Sequence, residues 1–388
     1  MKGGFMTKTS NRIEIKSEIF EWAIEESQKD INEIRIRFNK FDKWISQIEY
    51  PTYRQVEDLA NFLKVPFGYM FLDEPPSKDV IESQFRTIGN KKPKISKNLK
   101  DTIYSMSRKQ DWISEFRKDN GWESIIPDEY KNLDTSKTVE FAQKVKSFIG
   151  LKEYWYKEVK DINSAFIFLR KLLEEKGIIV MQSGIVGPST KRLLQIEEFR
   201  GFMLYDQYAP LIFLHANDSY AGKIFTLIHE LIHIILEEDD VFDSYDFNSQ
   251  NSIEAQINKI AIEFLVPDSH LSEYLENQNT DIDEENIIEL SSLFKVNRLA
   301  LAYKLLNQNL IEQELLDKII LETEISVKTK SKKVEGSHFW NTYKSRYSNT
   351  FIKTVIKGAE SGYVPYTYAF KLLDLSARSY DVLKGEFQ

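Results

Sequence analysis

Apolar residues recur at helical spacing over most of the chain, and the breaks in that spacing divide it into blocks. In I-F-E-W-A-I-E-E-S (19–27) the apolar positions fall on one helical face. E-Y-P-T-Y-R-Q-V-E-D-L-A-N-F-L (49–63) holds a turn and then, from about Tyr53, a helix with Val56, Leu59, Ala60 and Leu63 on one side. Residues 14–72 therefore predict a bundle of short helices, closed by Pro75 and Pro76. Such a bundle is a helix-turn-helix candidate, its plain alternative being a structural or protein-binding bundle. Residues 99–118 predict a longer helix anchored by Ile103, Met106, Trp112, Ile113 and Phe116. From about residue 160 the period alternates. N-S-A-F-I-F-L-R-K-L-L-E-E-K-G (163–177) is an amphipathic helix with a glycine stop, and I-I-V-M (178–181) is a short strand. F-R-G-F-M-L (199–204) and A-P-L-I-F-L-H (209–215) predict two more strands, joined by a polar turn at Asp206 and Gln207. A helix follows from about Tyr220 through Leu236, then an acidic, polar loop (237–252), then a helix over 253–265 stopped by Pro267. The remainder, 268–388, is mostly helical in pattern, and no internal repeat is visible.

This pattern predicts an α+β, mostly helical chain in five blocks. Residues 1–80 form a helix-turn-helix-like helical module. Residues 81–155 form a basic connector and helical segment, and 156–275 a core with a small sheet. Residues 276–325 form a second helix-turn-helix-like helical segment, and 326–388 a C-terminal helical module. A length of 388 residues suits more than one domain.

Composition narrows the classes. The chain has no cysteine, which excludes disulfides and thiolate metal sites and predicts a reducing, cytoplasmic location. No apolar stretch approaches the roughly 18 residues of a membrane span, so no membrane partner is expected. The first twenty residues carry no apolar run with a small-residue cleavage site. The net charge of −8 argues against a nucleic-acid binder along the whole chain. Residues 1–80 hold twelve Lys and Arg against fourteen Asp and Glu, a poor balance for phosphate contact. Segment 81–110 is the contrast, with eight basic residues against two acidic ones. DNA is thus a possible partner through the N-terminal module or this basic segment, although such runs are more often solvated faces.

One stretch breaks the apolar pattern of its helix. F-T-L-I-H-E-L-I-H-I-I-L (225–236) spends two of the chain's five histidines, with a glutamate between them, inside a run built for burial. Residues i and i+4 share a helix face, so His229 and His233 point the same way and both reach one small cation. Zinc accepts imidazole nitrogen at about 2.0–2.1 Å. Glu230, beside the first histidine, is placed to take a proton from a water in the site without binding the metal, the part of the general base in H-E-x-x-H hydrolases. A catalytic zinc wants three protein ligands and one open position. E-A-Q-I-N (254–258) on the next helix supplies Glu254 as the third ligand. Asn258, one turn on, is placed to accept from the far nitrogen of a ligand histidine. The loop acids Glu237 to Asp246 are poorer ligands because mobile loops hold geometry less rigidly, and Glu263 is too far along its helix to share the metal. His215, at a strand end, and Tyr303, in L-A-L-A-Y-K-L-L (299–306), are candidates for substrate or oxyanion contact, with core packing as their plain alternative. His270 and His338 carry no motif.

Taken in order, these residues resemble the ImmA/IrrE family of metallopeptidases, in the form that carries an N-terminal Xre-like helix-turn-helix module. The resemblance rests on I-F-E-W-A-I-E-E-S (19–27), P-T-Y-R-Q-V-E-D-L-A-N-F-L-K-V-P-F-G-Y-M-F-L-D-E-P-P (51–76), F-R-T-I-G (85–89), S-R-K-Q-D-W (107–112), E-E-F-R-G-F (197–202), A-P-L-I-F-L-H-A-N-D (209–218), I-F-T-L-I-H-E-L-I-H (224–233) and I-E-A-Q-I-N-K-I-A-I-E-F-L-V-P (253–267). It implies a zincin, gluzincin-like core, ligand roles for His229, His233 and Glu254, and the base role for Glu230. It also implies a zinc-dependent endopeptidase that cleaves a repressor or antitoxin-like protein and so controls genes of a mobile element or a stress or defence system. This sequence departs from the family's pattern where the third-ligand helix reads N-K-I-A-I-E and where the strand ends in His215. The alternative is a non-enzymatic DNA- or partner-binding regulator with a structural or sensory metal site.

Overall fold

The computed structural model describes residues 12–27, 29–63, 65, 67–75, 95–237, 253–276, 282–329 and 339–387. The chain divides into two compact units, residues 1–100 and 101–388.

In the first unit, helices α1 (Ser17–Ser27), α2 (Ile31–Arg37), α3 (Phe41–Ile45) and α4 (Tyr53–Leu63) enclose one small core. Asp30 caps α2 by accepting from the Asn32 amide, which explains a helix start directly after a polar stretch. Phe20 and Phe41 meet edge to face at 5.9 Å, and Trp44, Val56, Leu59 and Leu63 close the core. The helical bundle expected over 14–72 is present. Ile36 and Ile48 stay outside it, 85% and 77% exposed.

The second unit is built on a three-stranded sheet. The long helix α5 (Lys97–Asp119) leads into α6 (Thr138–Ile149), α7 (Trp155–Glu158) and α8 (Ile162–Glu175), then β1 (Ile179–Ser183). A short antiparallel hairpin follows, β2 (Ile185–Val186) and β3 (Ser189–Leu193), which the hydrophobic pattern did not reveal because β3 is S-T-K-R-L, a largely exposed polar strand. Strands β4 (Gly201–Leu204) and β5 (Leu211–His215) form the expected pair around the turn at Asp206 and Gln207. The sheet order is β1-β5-β4, with β5 parallel to β1 and antiparallel to β4. Every residue of the central strand is buried, as the unbroken run L-I-F-L-H requires when both faces are covered.

Helix α9 (Tyr220–Ile235) crosses this sheet and is buried continuously from Lys223 to Ile235. Ser219 starts it by accepting from the Gly222 amide at 3.0 Å. Helix α10 (Ile253–Leu265) packs between α6 and α9. Then come α11 (Asp268–Glu276), α12 (Glu284–Phe294), α13 (Arg298–Asn307) and α14 (Gln313–Thr329). The C-terminal helices α15 (Phe339–Arg346), α16 (Asn349–Glu360), α17 (Tyr366–Leu372) and α18 (Ala377–Phe387) complete the unit. Arg170 of α8 ties this last module down by donating to the Ser345 and Tyr347 carbonyls, and Gln182 of β1 also donates to Ser345.

The basic segment 81–110 falls only partly within the described residues. Arg86, Lys91, Lys92 and Lys94 lie outside the described residues. Lys109 is 3% exposed and spends its ammonium on the Leu372 carbonyl and the Asp374 carboxylate. Its apolar-helix neighbours carried it into the interior, and a partnered, buried cation offers nothing to a phosphate backbone. No helix among the described residues is long and apolar enough to cross a membrane.

Candidate metal centre

The two histidines and Glu230 occupy a narrow arc of α9. With about 100° per residue, His233 falls some 40° from His229, and Glu230 about 60° further round. Most of the rest of the helix is apolar, Lys223 and Thr226 excepted, and its core-facing side chains hold that arc in place. Strand β4 comes close to the helix at a glycine. A Cβ built on Gly201 would lie 2.4 Å from the Thr226 Cγ2 and 3.0 Å from the Phe213 carbonyl oxygen. Glycine here is what lets the strand press against the helix three residues before His229.

Helix α10 brings Glu254 to the same point. His229 Nε2 and His233 Nε2 lie 3.0 Å apart. Glu254 Oε2 is 3.3 Å from His229 Nε2, and Oε1 is 3.3 Å from His233 Nε2. All three residues are buried, and their donor atoms converge as a group able to hold a metal ion. The spacing fits the ion. Ligands at about 2.0–2.1 Å in a tetrahedron are separated by roughly 3.3 Å. The two carboxylate oxygens thus face one ring nitrogen each, and all the groups converge on one point.

Electrostatics agree with that reading. Burial pushes the His229 pKa down, with Glu254 and then Asn258 opposing it, and so favours the neutral ring that a metal needs. At Glu254 burial alone would raise the pKa, but the hydrogen bonds and charges of His229 and His233 prevail and hold it at about 2. Asn258 is 4% exposed, and both heavy atoms of its amide lack a hydrogen-bond partner. It lies close enough to favour the protonated His229 ring without meeting it in full hydrogen-bond geometry. A buried amide with no partner beside a histidine of a group able to hold a metal ion is a feature that calls for a role. Glu230 is buried at 8% exposure on the same arc.

The weaker candidates have surroundings of their own. His215 is fully buried, packs edge-on against Phe199 at 5.2 Å, and accepts from the Asn217 amide through Nδ1. Burial pushes its pKa down, the Leu194 backbone partly opposing. Tyr303 on α13 is half-buried against the main core. Of the loop acids, Glu237 pairs with Lys131 at 3.3 Å, and residues 238–252 lie outside the described residues. Glu263 sits on Lys304 of α13.

Sequence reasoning passed over Arg200 and Asp218. Arg200 donates to Asp218 at 2.9 Å just ahead of α9, linking the start of β4 to the start of the histidine helix. The D of A-N-D, directly before a helix start, was the available signal. A cavity of about 620 Å³ opens away from the cluster, lined in part by Tyr156, His270, Glu273 and Phe294. Its buried Tyr156 and His270 are already partnered, since Tyr156 Oη meets His270 Nδ1 and His270 Nε2 meets the exposed Glu153. The convergence of three ligand atoms on one point therefore outweighs cavity size as the mark of the functional centre.

The class that fold and centre define is a helical α+β domain with a buried two-histidine, one-glutamate cluster on adjoining helices. The family model of the peptidase M78 group, described as an IrrE N-terminal-like domain, matches residues 192–306. That span holds β4, β5 and helices α9 to α13, and with them every residue of the cluster. The match supports the ImmA/IrrE family and a metallopeptidase-like activity for this part of the chain. No curated protein and no solved structure matches the chain.

Proposed function

We propose that the second unit is a zinc-dependent endopeptidase that cleaves a regulatory protein, of repressor or antitoxin type. The convergence of His229, His233 and Glu254 beside Glu230 carries this reading. The three donors would hold the ion and leave one position open, as a catalytic rather than a structural zinc site requires. A zinc ion there would supply Lewis acidity, lowering the pKa of water and polarising a peptide carbonyl. Glu230 would take the proton from the attacking water and pass it to the leaving amine, the task of a general base and then acid. Asn258 would hold the His229 ring in the tautomer that leaves Nε2 free. The buried surroundings keep charges in the site poorly screened, which strengthens each of these interactions. The substrate class follows from the family resemblance, and the N-terminal bundle is the natural place for recognition of a protein partner.

The test is a comparison of cells expressing the wild type and Glu230→Gln, with new protein N-termini mapped across the proteome. The substitution is nearly isosteric and removes the base without removing a ligand. Metal content should be unchanged, and one or a few new N-termini should appear only with the wild type. The same termini in the Glu230→Gln strain would refute the assignment.

A further inference from the structure

Helix α10 carries two buried carboxylates, and only one has been given a part. Glu254 and Glu263 are nine residues apart, which at about 100° per residue puts them on opposite faces and about 13 Å apart along the axis. Glu254 faces the histidine helix. Glu263 faces away from it, into a second cluster of charge that is equally buried: Glu263 is 5% and Lys304 7% exposed. Glu263 Oε2 receives the Lys304 ammonium of α13 at 2.5 Å, and Oε1 accepts from the Asp268 amide at 3.1 Å, at the start of α11. Lys304 also pairs with the Asp268 carboxylate, which accepts from Gln308 at 2.7 Å. Lys146 of α6 adds a further cation facing Glu263 and repelled by Lys304. Burial raises the Glu263 pKa and Lys304 opposes it, so the carboxylate depends on its partner to stay charged.

A buried ion pair is a poor source of stability, because desolvation of both groups cancels much of their attraction. What such a pair does well is fix one arrangement against near alternatives, since every shifted register leaves a charge unpaired. Here the shifted arrangements are rotations and slides of α10 against α11 and α13. Those same movements would carry Glu254 off the histidines, and a metal site tolerates displacements of only about 0.5 Å. We infer that Glu263 and Lys304 are positioning residues, a clamp on the far face of α10 that sets its register and thereby holds Glu254 at the histidine pair. The inference rests on the metal-site reading for its consequence, but the clamp is a property of the metal-free protein as well.

Three variants of the full chain test it: Lys304→Met, Lys304→Arg, and the double variant Glu263→Gln with Lys304→Met. Zinc affinity is read by chelator competition, thermal stability by circular dichroism, and amide exchange over residues 253–265 is read on metal-free protein. Lys304→Met should weaken zinc binding at least tenfold and raise exchange through 253–258, at the end of α10 remote from the substitution. Lys304→Arg should keep both near wild type. The double variant removes both charges and should recover most of the melting temperature, while zinc affinity stays at least fivefold weak and exchange stays high. Recovery of affinity and exchange together with stability would reduce the pair to ordinary packing and overturn the proposal. So would unchanged exchange over 253–258 in Lys304→Met. If the wild type itself fails to bind zinc, the metal-site reading falls, and the exchange arm still decides the clamp.

Discussion

Gly201→Ala probes the point where sheet and histidine helix touch. The added Cβ would sit 2.4 Å from Thr226 Cγ2, against an optimum near 3.5–4.0 Å for two carbons, so more than 1 Å of movement is required. Neither neighbour gives easily. Thr226 is 1% exposed on a helix buried along its length, and the next atom, the Phe213 carbonyl oxygen at 3.0 Å, belongs to the central strand. Overpacking of this kind costs about 1–3 kcal/mol, and the lower chain entropy of alanine returns about 0.4–1 kcal/mol. The net is a destabilisation of roughly 1–2 kcal/mol, or a melting temperature lower by about 2–6 °C for a unit of this size. Thr226→Ser removes the offending methyl and keeps the hydroxyl, at a cost of about 0.8 kcal/mol when made alone. In the double variant the new Cβ fills the space of the lost methyl. The two changes should therefore couple favourably by about 1 kcal/mol in a double-mutant cycle read by thermal unfolding. Zinc affinity should follow, falling in Gly201→Ala and recovering in the double variant, because Thr226 precedes His229 by less than one turn. Additive effects, or a Gly201→Ala variant as stable as wild type, would mean that β4 does not bear on the helix.

Other outcomes are expected on the same footing. Glu254→Ala should abolish stoichiometric zinc in metal analysis. Asn258→Ala should weaken it about 10–100-fold, as loss of a partner behind a ligand typically does; equal metal content in all three proteins would contradict the ligand set. Burial pulls the Lys146 pKa down to about 8, with Glu263 partly opposing. Below that pH the folded state bears a partly buried charge, and between about 8 and 10.4 the unfolded state binds more protons, so stability from this group rises with pH. Lys146→Met should accordingly stabilise by about 1–3 kcal/mol at pH 7 and by much less at pH 10 in denaturant unfolding; a gain independent of pH would refute the cause. Fluorescence anisotropy with duplex DNA should show no steeply salt-dependent binding, given the acidic balance of residues 1–80 and the buried Lys109; a steep negative slope in log K against log salt would restore the DNA-binding reading.

The sequence revealed the centre more clearly than the frame around it, for a physical reason. His229, Glu230 and His233 stand out because polar groups are costly in an apolar helix, so their presence needs a use, and helical spacing then fixes where they point. Glu254 and Asn258 follow from the same arithmetic on the next helix. Strands β1, β4 and β5 were visible as apolar runs, while the β2–β3 hairpin was not, because a strand with little burial leaves no periodicity to read. The same arithmetic that pointed to Glu254 also set Glu263 aside as a ligand and said nothing of what else it does. Nine residues is half a turn out of phase, which removes Glu263 from the metal and aims it at whatever packs on the other face. That neighbour is Lys304, 41 positions on, and no local pattern connects the two. A buried charge therefore announces from sequence that a partner exists, while the partner's identity depends on how α13 folds back. The practical consequence is that a carboxylate in an apolar helix should be counted whichever face it takes, since one face can bind the ion and the other can hold the ligand still.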